Sequence, residues 1–148
     1  MSSESHIVAI SDDPVAHADW LAASESLHRQ LRPDLSADYA DYMHRMFAEG
    51  AEMAVVVQDD AVRAIAVFRC HLTTFHGRRF YIDDLVADQD QRSRGFGGKL
   101  LNWCEALARK RGCGGLALES GVQRQRAHNF YFRHGLTIIT FGFFKPLD

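Results

Sequence analysis

The sequence predicts an α/β fold in which a mixed, mostly antiparallel sheet of six to seven strands is flanked by about four helices. A β-rich hairpin over residues 53–70 requires antiparallel strands. A strand over 79–87 then runs through a glycine-rich turn and a helix to a strand at 116–119, which is a right-handed parallel crossover. With 148 residues and 47% hydrophobic content, one domain over residues 1–148 is the simplest organisation.

The first fifty residues read as one strand followed by two helices. Residues 6–10 form a short apolar strand, and Asp13 is a good N-cap for a helix that ends before Pro33. Apolar residues of that helix recur at spacings of three and four: Ala16, Trp20, Ala23, Leu27 and Leu31. Ser36 caps the second helix, whose apolar face is Tyr39, Met43, Met46 and Phe47.

The rest of the chain alternates between strands and helices. Asp59 and Asp60 occupy the turn of the predicted hairpin. The predicted elements, in order, are strands at 53–58, 61–70 and 79–87, a helix after Gly95, a strand at 116–119, a helix at 123–134 and a strand at 136–144.

Composition excludes several classes of function. The net charge of −2 gives no general reason to expect nucleic-acid binding, although residues 1–60 carry three Lys or Arg against twelve Asp or Glu. No apolar run could span a bilayer, and the N-terminus does not resemble a signal peptide. We therefore expect a soluble, cytoplasmic protein without a membrane partner.

The cysteines and histidines do not predict a metal site. Cys70, Cys104 and Cys113 are too scattered for a disulfide framework or a zinc site, and they suit a reducing compartment. Cys70 and His71 with His76 come nearest to a ligand set, but their spacing is not convincing. We expect no metal.

The turn after the strand at 79–87 has the character of an anion site. Gly95, Gly97 and Gly98 remove side chains where a helix begins, and the first backbone N–H groups of a helix have no partner within it. A purely structural turn remains an alternative, and a dinucleotide motif is incomplete because position 100 is Leu. Three basic residues beside the turn would add bonds to phosphate: Arg92, Arg94 and Lys99.

A second motif distinguishes between these interpretations of the glycine-rich turn. Residues 127–136 read AHNFYFRHGL, a short helix with an aromatic pair, closed by glycine. Together with residues 85–98, this block resembles the GNAT superfamily of acetyl-CoA-dependent N-acetyltransferases. The first block is similar to that family's Gln/Arg-x-x-Gly-x-Gly/Ala coenzyme A motif, and the second to its Ala-x-x-Phe-Tyr segment. The close match covers residues 80–144 and implies a GNAT-like fold.

The resemblance implies which residues hold acetyl-CoA. The main chain of Leu85, Val86 and Ala87 would pair with the pantetheine arm as an added strand does. The family often has Asn where this chain has Arg124, so Asn129 is a substitute contact. The pyrophosphate would meet the amides of Arg94, Gly95, Phe96, Gly97, Gly98 and Lys99, with Arg92 beside them.

The resemblance also implies a mechanism of direct attack by a neutral amine while both substrates are bound. Tyr131 matches the family's tyrosine at the thioester sulfur, where it would protonate the departing thiolate; without the motif, a core aromatic would be the better interpretation. Asp83, Asp84 and Glu119 are candidate bases, with Asp84 slightly favoured. Because strand residues alternate in direction, we expect Asp83 and Asp84 to face opposite sides.

The acceptor amine stays open. The acidic first sixty residues would suit a cationic small-molecule amine, with Tyr39 and Tyr42 contributing cation–π contacts. Residues 117–145 are also similar to aminoalkylphosphonate N-acetyltransferases, and Arg124, Arg126 or Arg78 would then bind the phosphonate. Polyamines, amino acids, aminoglycosides and protein N-termini all remain candidates.

Two other classes of function remain: a non-catalytic acyl-CoA sensor and an interaction module without cofactor. The aromatic residues of the last predicted strand either join a second copy in a homodimer or belong to the core: Phe141, Phe143 and Phe144.

Overall fold

The computed structural model describes residues 4–148, apart from the side chains of Arg92 and Ser93. Short 3-10 helices cover Ile10–Asp12 and Gln89–Arg94. The elements are, in order, β1 His6–Ala9, α1 Ala18–Leu31, α2 Tyr39–Ala48, β2 Glu52–Gln58, β3 Ala61–Thr73, β4 Gly77–Ala87, α3 Phe96–Lys110, β5 Gly115–Leu118 and α4 Gln125–Arg133. Contacts divide the chain into two compact units, one ending at Ala117 and one beginning at Leu118.

The five strands of the sheet lie side by side in chain order, from β1 at one edge to β5 at the other, in a mixed α/β fold. β1 pairs antiparallel with β2, β2 with β3, and β3 with β4. The predicted hairpin is confirmed: Gln58 pairs with Ala61 across Asp59 and Asp60, whose φ angles are 53° and 59°. Two positive φ angles in a two-residue loop match the twist of the flanking strands.

The central strands are buried on both faces, as expected from their continuous apolar sequence. On one face, Val55 and Val67 pack with Leu21 of α1 and Met43 of α2. On the other face, Phe68 stacks on Phe80, with ring centroids 4.6 Å apart, and meets Trp103 of α3 edge-on. The sheet is therefore covered by α1 and α2 on one side and by α3 on the other.

Both N-terminal helices begin later than predicted. The Asp13 carboxylate does accept a hydrogen bond from the N–H of Ala16, at 3.1 Å, but this closes a turn, and α1 starts only at Ala18. Likewise Asp38 and not Ser36 caps α2, since its carboxylate accepts from the N–H of Asp41 at 3.1 Å. Asp and Ser are both good caps, and sequence alone does not distinguish between neighbouring ones.

The predicted strand at 136–144 is wrong: no strand is present there, so the described residues contain five strands. Backbone groups of residues 137–148 form no hydrogen bonds with other described residues. A β-rich sequence becomes a strand only when a neighbouring strand is offered, which explains the miss. One domain over the whole chain stays a prediction.

The second unit contains α4, closed as predicted by a left-handed glycine, Gly135, with φ 85°. The N–H of Leu136 then donates to the carbonyl of Tyr131 at 3.0 Å, the pattern of a helix C-terminus. Within the described part of the chain, no helix is long and apolar enough to cross a membrane.

Candidate functional site

The glycine-rich turn links the end of β4 to α3 through a left-handed residue. Gly95 has φ 77° and ψ 16°, a conformation that costs a side-chain-bearing residue energy. Upstream, the N–H of Asp88 donates to the carbonyl of Arg63 at 2.9 Å, and the Asp88 carboxylate accepts from the N–H of Asp90 at 3.1 Å. The start of the turn is thus hydrogen-bonded to β3, and the left-handed Gly95 lets the backbone reverse direction before α3.

The N-terminus of α3 is uncapped. Its first internal hydrogen bond runs from the N–H of Lys99 to the carbonyl of Gly95, at 3.0 Å. The N-cap residue, Gly95, has no side chain that could cap the helix, and the first turn of the helix holds no acidic residue. The N–H groups of Phe96, Gly97 and Gly98 therefore point out of a 15-residue helix whose dipole adds positive potential. This arrangement can bind an anion.

The basic side chains contribute less to this turn than the sequence suggested. The Lys99 ammonium donates to the Ser5 carbonyl at 2.6 Å and to the Ser5 hydroxyl at 2.8 Å, so it is already engaged. Arg94 is exposed and makes no ion pair among the described residues. The predicted contact from Arg92 lies outside the described side chains.

A β-bulge marks β4 just before the segment predicted to meet the pantetheine arm. Val67 pairs with Asp84 and Phe68 with Ile82, which leaves Asp83 as the extra residue. Beyond the bulge, Leu85, Val86 and Ala87 pair regularly with Ala66, Ile65 and Ala64 of β3. Bulges occur often beside active sites because they re-aim side chains.

The bulge brings both neighbouring carboxylates toward the face covered by α1 and α2. The Arg69 Nε donates to Asp83 Oδ2 at 2.8 Å, and Arg69 also reaches the carbonyl of Glu49 at the end of α2, at 3.5 Å. Asp84 meets side chains of α1. The expectation that Asp83 and Asp84 face opposite sides is wrong, because strict alternation fails at the extra residue.

Asp84 is one member of a hydrogen-bonded chain that joins three elements. The ring of His28, a 1%-exposed residue of α1, lies 2.8 Å from Asp84 Oδ2 through Nε2 and 2.7 Å from the Tyr39 hydroxyl through Nδ1. Arg32 at the end of α1 donates to Asp84 Oδ1 through Nε at 2.8 Å, and its Nη2 lies 2.7 Å from the same oxygen in an ion pair. This Tyr39–His28–Asp84–Arg32 chain connects α1, the start of α2 and β4.

The chain determines the protonation of its members. Burial alone would raise the pKa of the Asp84 carboxyl, but hydrogen bonds from His28 and Arg32 outweigh it and hold that pKa below its ordinary value. Burial raises the pKa of the Tyr39 phenol, and the nearby carboxylates of Glu25 and Asp84 add to the shift. Asp84 is therefore an ionised carboxylate with weak affinity for a further proton.

The remaining predicted catalytic residues lie in the second unit. Burial raises the pKa of the Tyr131 phenol, and the charge of Arg124 opposes the rise. The hydroxyl makes no hydrogen bond with any group that the structure describes, so a protonated donor is available. Glu119 is exposed, with its carboxylate beside Gly142, and Asn129 is exposed on α4.

Sequence reasoning missed His28 and Arg32, and it placed Tyr39 on a helix face as a cation–π contact for the amine. The signal was present for His28, since it follows Leu27 on the inward side of an amphipathic helix, where a polar residue requires a buried partner. The partner, Asp84, is 56 residues away, and no local pattern joins the two.

A comparison with known protein families agrees with this geometry of an uncapped helix, a glycine turn and a bulged strand. The family match covers most of the chain. The acetyltransferase (GNAT) family matches residues 16–136. The chain belongs to this family. It is therefore a GNAT-type N-acetyltransferase.

Individual relatives support the assignment. YhdJ, an uncharacterised N-acetyltransferase of Bacillus subtilis, is 34% identical over 134 residues, covering 87% of this chain and 92% of the relative. An aminoalkylphosphonate N-acetyltransferase of Salmonella typhimurium is 36% identical over 66 residues, 45% of this chain and 43% of that one. A solved acetyltransferase of Agrobacterium tumefaciens has a TM-score of 0.79 at 19% identity, with 96% and 99% coverage, and so supports the fold.

Proposed function

We propose that this GNAT N-acetyltransferase moves the acetyl group of acetyl-CoA to a primary amine of a small molecule by direct attack in a ternary complex. The observation that carries the proposal is the uncapped N-terminus of α3, with the free N–H groups of Phe96, Gly97 and Gly98. Those groups suit the pyrophosphate of coenzyme A. Leu85, Val86 and Ala87 offer the main chain for the pantetheine arm.

In this proposal Tyr131 is the general acid. The amine nitrogen forms a bond to the acetyl carbon, the carbon–sulfur bond breaks, and the Tyr131 hydroxyl donates its proton to the departing thiolate. A phenol whose pKa is raised by burial stays protonated at neutral pH, which suits a donor. Asn129 adds a contact to the cofactor.

The amine must also lose a proton, and the carboxylates differ in their capacity to accept it. Asp84 has a lowered pKa and two donors, so it favours the ionised form, and the Asp83 carboxylate is already paired with Arg69. Glu119 makes no hydrogen bond within the described residues. We therefore propose that Glu119 is the base, acting directly or through water, and that Asp84 holds His28 and Arg32 in position.

A thiol-release assay with acetyl-CoA against a mixed library of amines tests the proposal. Release that depends on an amine supports transfer. Binding of coenzyme A, seen as a rise in Tm, without release across the library would instead indicate an acyl-CoA sensor. No rise in Tm with millimolar acetyl-CoA would indicate an interaction module, and release only with peptides would indicate a protein acetyltransferase.

We also propose that the protein forms a homodimer through the segment 138–147, in a cytoplasmic setting that its free cysteines suit. Three phenylalanines there are 82–97% exposed, and at about 150–250 Å² each they offer about 400–670 Å². A standard interface needs about 800 Å² per partner, and the other exposed apolar residues supply the rest: Ile138, Ile139 and Leu147. An identical segment on a second copy gives a closed, symmetric contact.

Light scattering after size-exclusion chromatography tests the dimer. We expect twice the chain mass, and the double variant Phe143→Ser/Phe144→Ser should elute as a folded monomer. Val122→Ser, at an equally exposed site, should remain a dimer. A wild-type protein that is monomeric at about 0.1 mM, well above the Kd of standard-size interfaces, would contradict this proposal.

A further inference from the structure

Arg32 presents an oriented guanidinium beside the bulge of β4. Its Nε donates to Asp84 Oδ1 at 2.8 Å, and its Nη2 donates to the backbone carbonyl of Asp83 at 3.3 Å and lies 2.7 Å from Asp84 Oδ1 in an ion pair. The side chain is nevertheless 52% exposed. One edge of the guanidinium is therefore fixed to the strand while the rest faces solvent.

The outer end of this guanidinium is available to a ligand. The Nη1 group of Arg32 makes no hydrogen bond with the described part of the chain, which leaves out the side chains of Arg92 and Ser93. By contrast, all three nitrogens of Arg29 on the same helix are used, on Glu25 and on the carbonyls of Leu35 and Ser36. A planar guanidinium that is already oriented binds a carboxylate or phosphonate at a lower entropic cost than a mobile one.

Three of the groups that could have received a cationic substrate are already engaged: Tyr39, Tyr42 and Asp38. The Tyr39 hydroxyl bonds to buried His28, and its ring is 3% exposed. The ring of Tyr42 already has the Arg45 guanidinium 5.9 Å from its centre. Asp38 spends a carboxylate oxygen on capping α2. The α1–α2 side of the bulge thus offers a free donor for an anion, whereas Tyr39, Tyr42 and one oxygen of Asp38 are already occupied.

We propose that Arg32 binds an acid group of the acceptor, so that the acceptor is a small amine that also carries a carboxylate or phosphonate. The inference rests on the proposed acetyl transfer. Arg32 is anchored at residue 84, and the segment proposed for the pantetheine arm starts at residue 85, so about 3–10 Å of strand separates the two. That distance suits a short carbon chain between the amine and the acid group.

The experiment compares acid-bearing amines with matched neutral ones in the thiol-release assay. The pairs are β-alanine with β-alaninamide and aminoethylphosphonate with its dimethyl ester; putrescine is the dicationic probe. We expect the wild type to show kcat/KM at least about tenfold higher for the acid of one or both pairs, as an added charge-assisted hydrogen bond implies. Which pair shows the difference distinguishes carboxylate from phosphonate.

Substitution assigns the preference to Arg32. Arg32→Gln should raise KM for the acid about tenfold, with little change in kcat, in KM for acetyl-CoA or in kcat/KM for the neutral partner. Arg32→Lys should recover part of the loss because the charge is kept but the fork is not. Arg109→Gln, which removes an exposed guanidinium paired with Glu105 on α3, should change nothing.

The outcomes separate this inference from the proposed function. If the wild type acetylates neutral amines or putrescine as well as the acids, acetyl transfer stands and the role of Arg32 is overturned. If Arg32→Gln loses activity equally on acid and neutral partners, Arg32 is only structural. If no amine releases thiol, the proposed function itself fails and this inference fails with it.

Discussion

Within the Tyr39–His28–Asp84–Arg32 chain, replacing His28 should lower the stability of the fold most. In His28→Phe, the Tyr39 hydroxyl would be buried without its partner, which costs about 1–3 kcal/mol. The charged Asp84 would lose a hydrogen bond worth about 1.5–3 kcal/mol and keep only Arg32. The free energy of unfolding should therefore fall by about 3–5 kcal/mol, a large share of the roughly 5–15 kcal/mol typical of a domain.

Urea unfolding followed by circular dichroism measures this loss, and a double-mutant cycle identifies its source. Tyr39→Phe in the His28→Phe background removes the unpaired hydroxyl, so the double variant should be less destabilised than the two single losses predict together. His44→Phe, an exposed histidine of α2, is the matched control and should stay within about 0.5 kcal/mol of wild type. A loss below about 1 kcal/mol for His28→Phe, or strict additivity in the cycle, would refute the buried chain.

The remaining predictions concern the catalytic and cofactor residues. Tyr131→Phe should lower kcat by about a hundredfold or more with KM for acetyl-CoA retained, whereas Tyr42→Phe should leave kcat unchanged. The basic limb of the wild-type pH–rate profile should lie above pH 10, because burial raises the pKa of Tyr131. Gly97→Val should raise the calorimetric Kd of coenzyme A at least about tenfold by screening the free amides, while Asn102→Val, on the exposed side of the same helix, should leave it unchanged. Because the folded-state pKa of Asp84 is lowered, its charge stabilises the fold above about pH 4, and this stabilisation is lost as the pH falls through the folded pKa. The unfolding free energies of wild type and Asp84→Asn should therefore converge in acid. A constant difference between them down to about pH 2 would contradict the pairing.

The sequence by itself determined those features that depend on neighbouring residues. The two-residue hairpin at Asp59 and Asp60, the left-handed Gly95 before an uncapped helix and the Gly135 end of α4 each follow from turn chemistry within a few positions. The paired motifs at 85–98 and 127–136 indicated the family, since each places special residues at short, fixed spacings.

Only the tertiary structure decided what joins distant parts of the chain. The bulge at Asp83 depends on the register of β4 with β3. The partners of Asp84 are His28 and Arg32, which belong to a helix more than fifty residues earlier. The segment 136–144 has the composition of a strand but no neighbour to pair with among the described residues. Strand pairing and buried hydrogen bonds require two surfaces to meet, and no pattern within one stretch of sequence specifies the second surface.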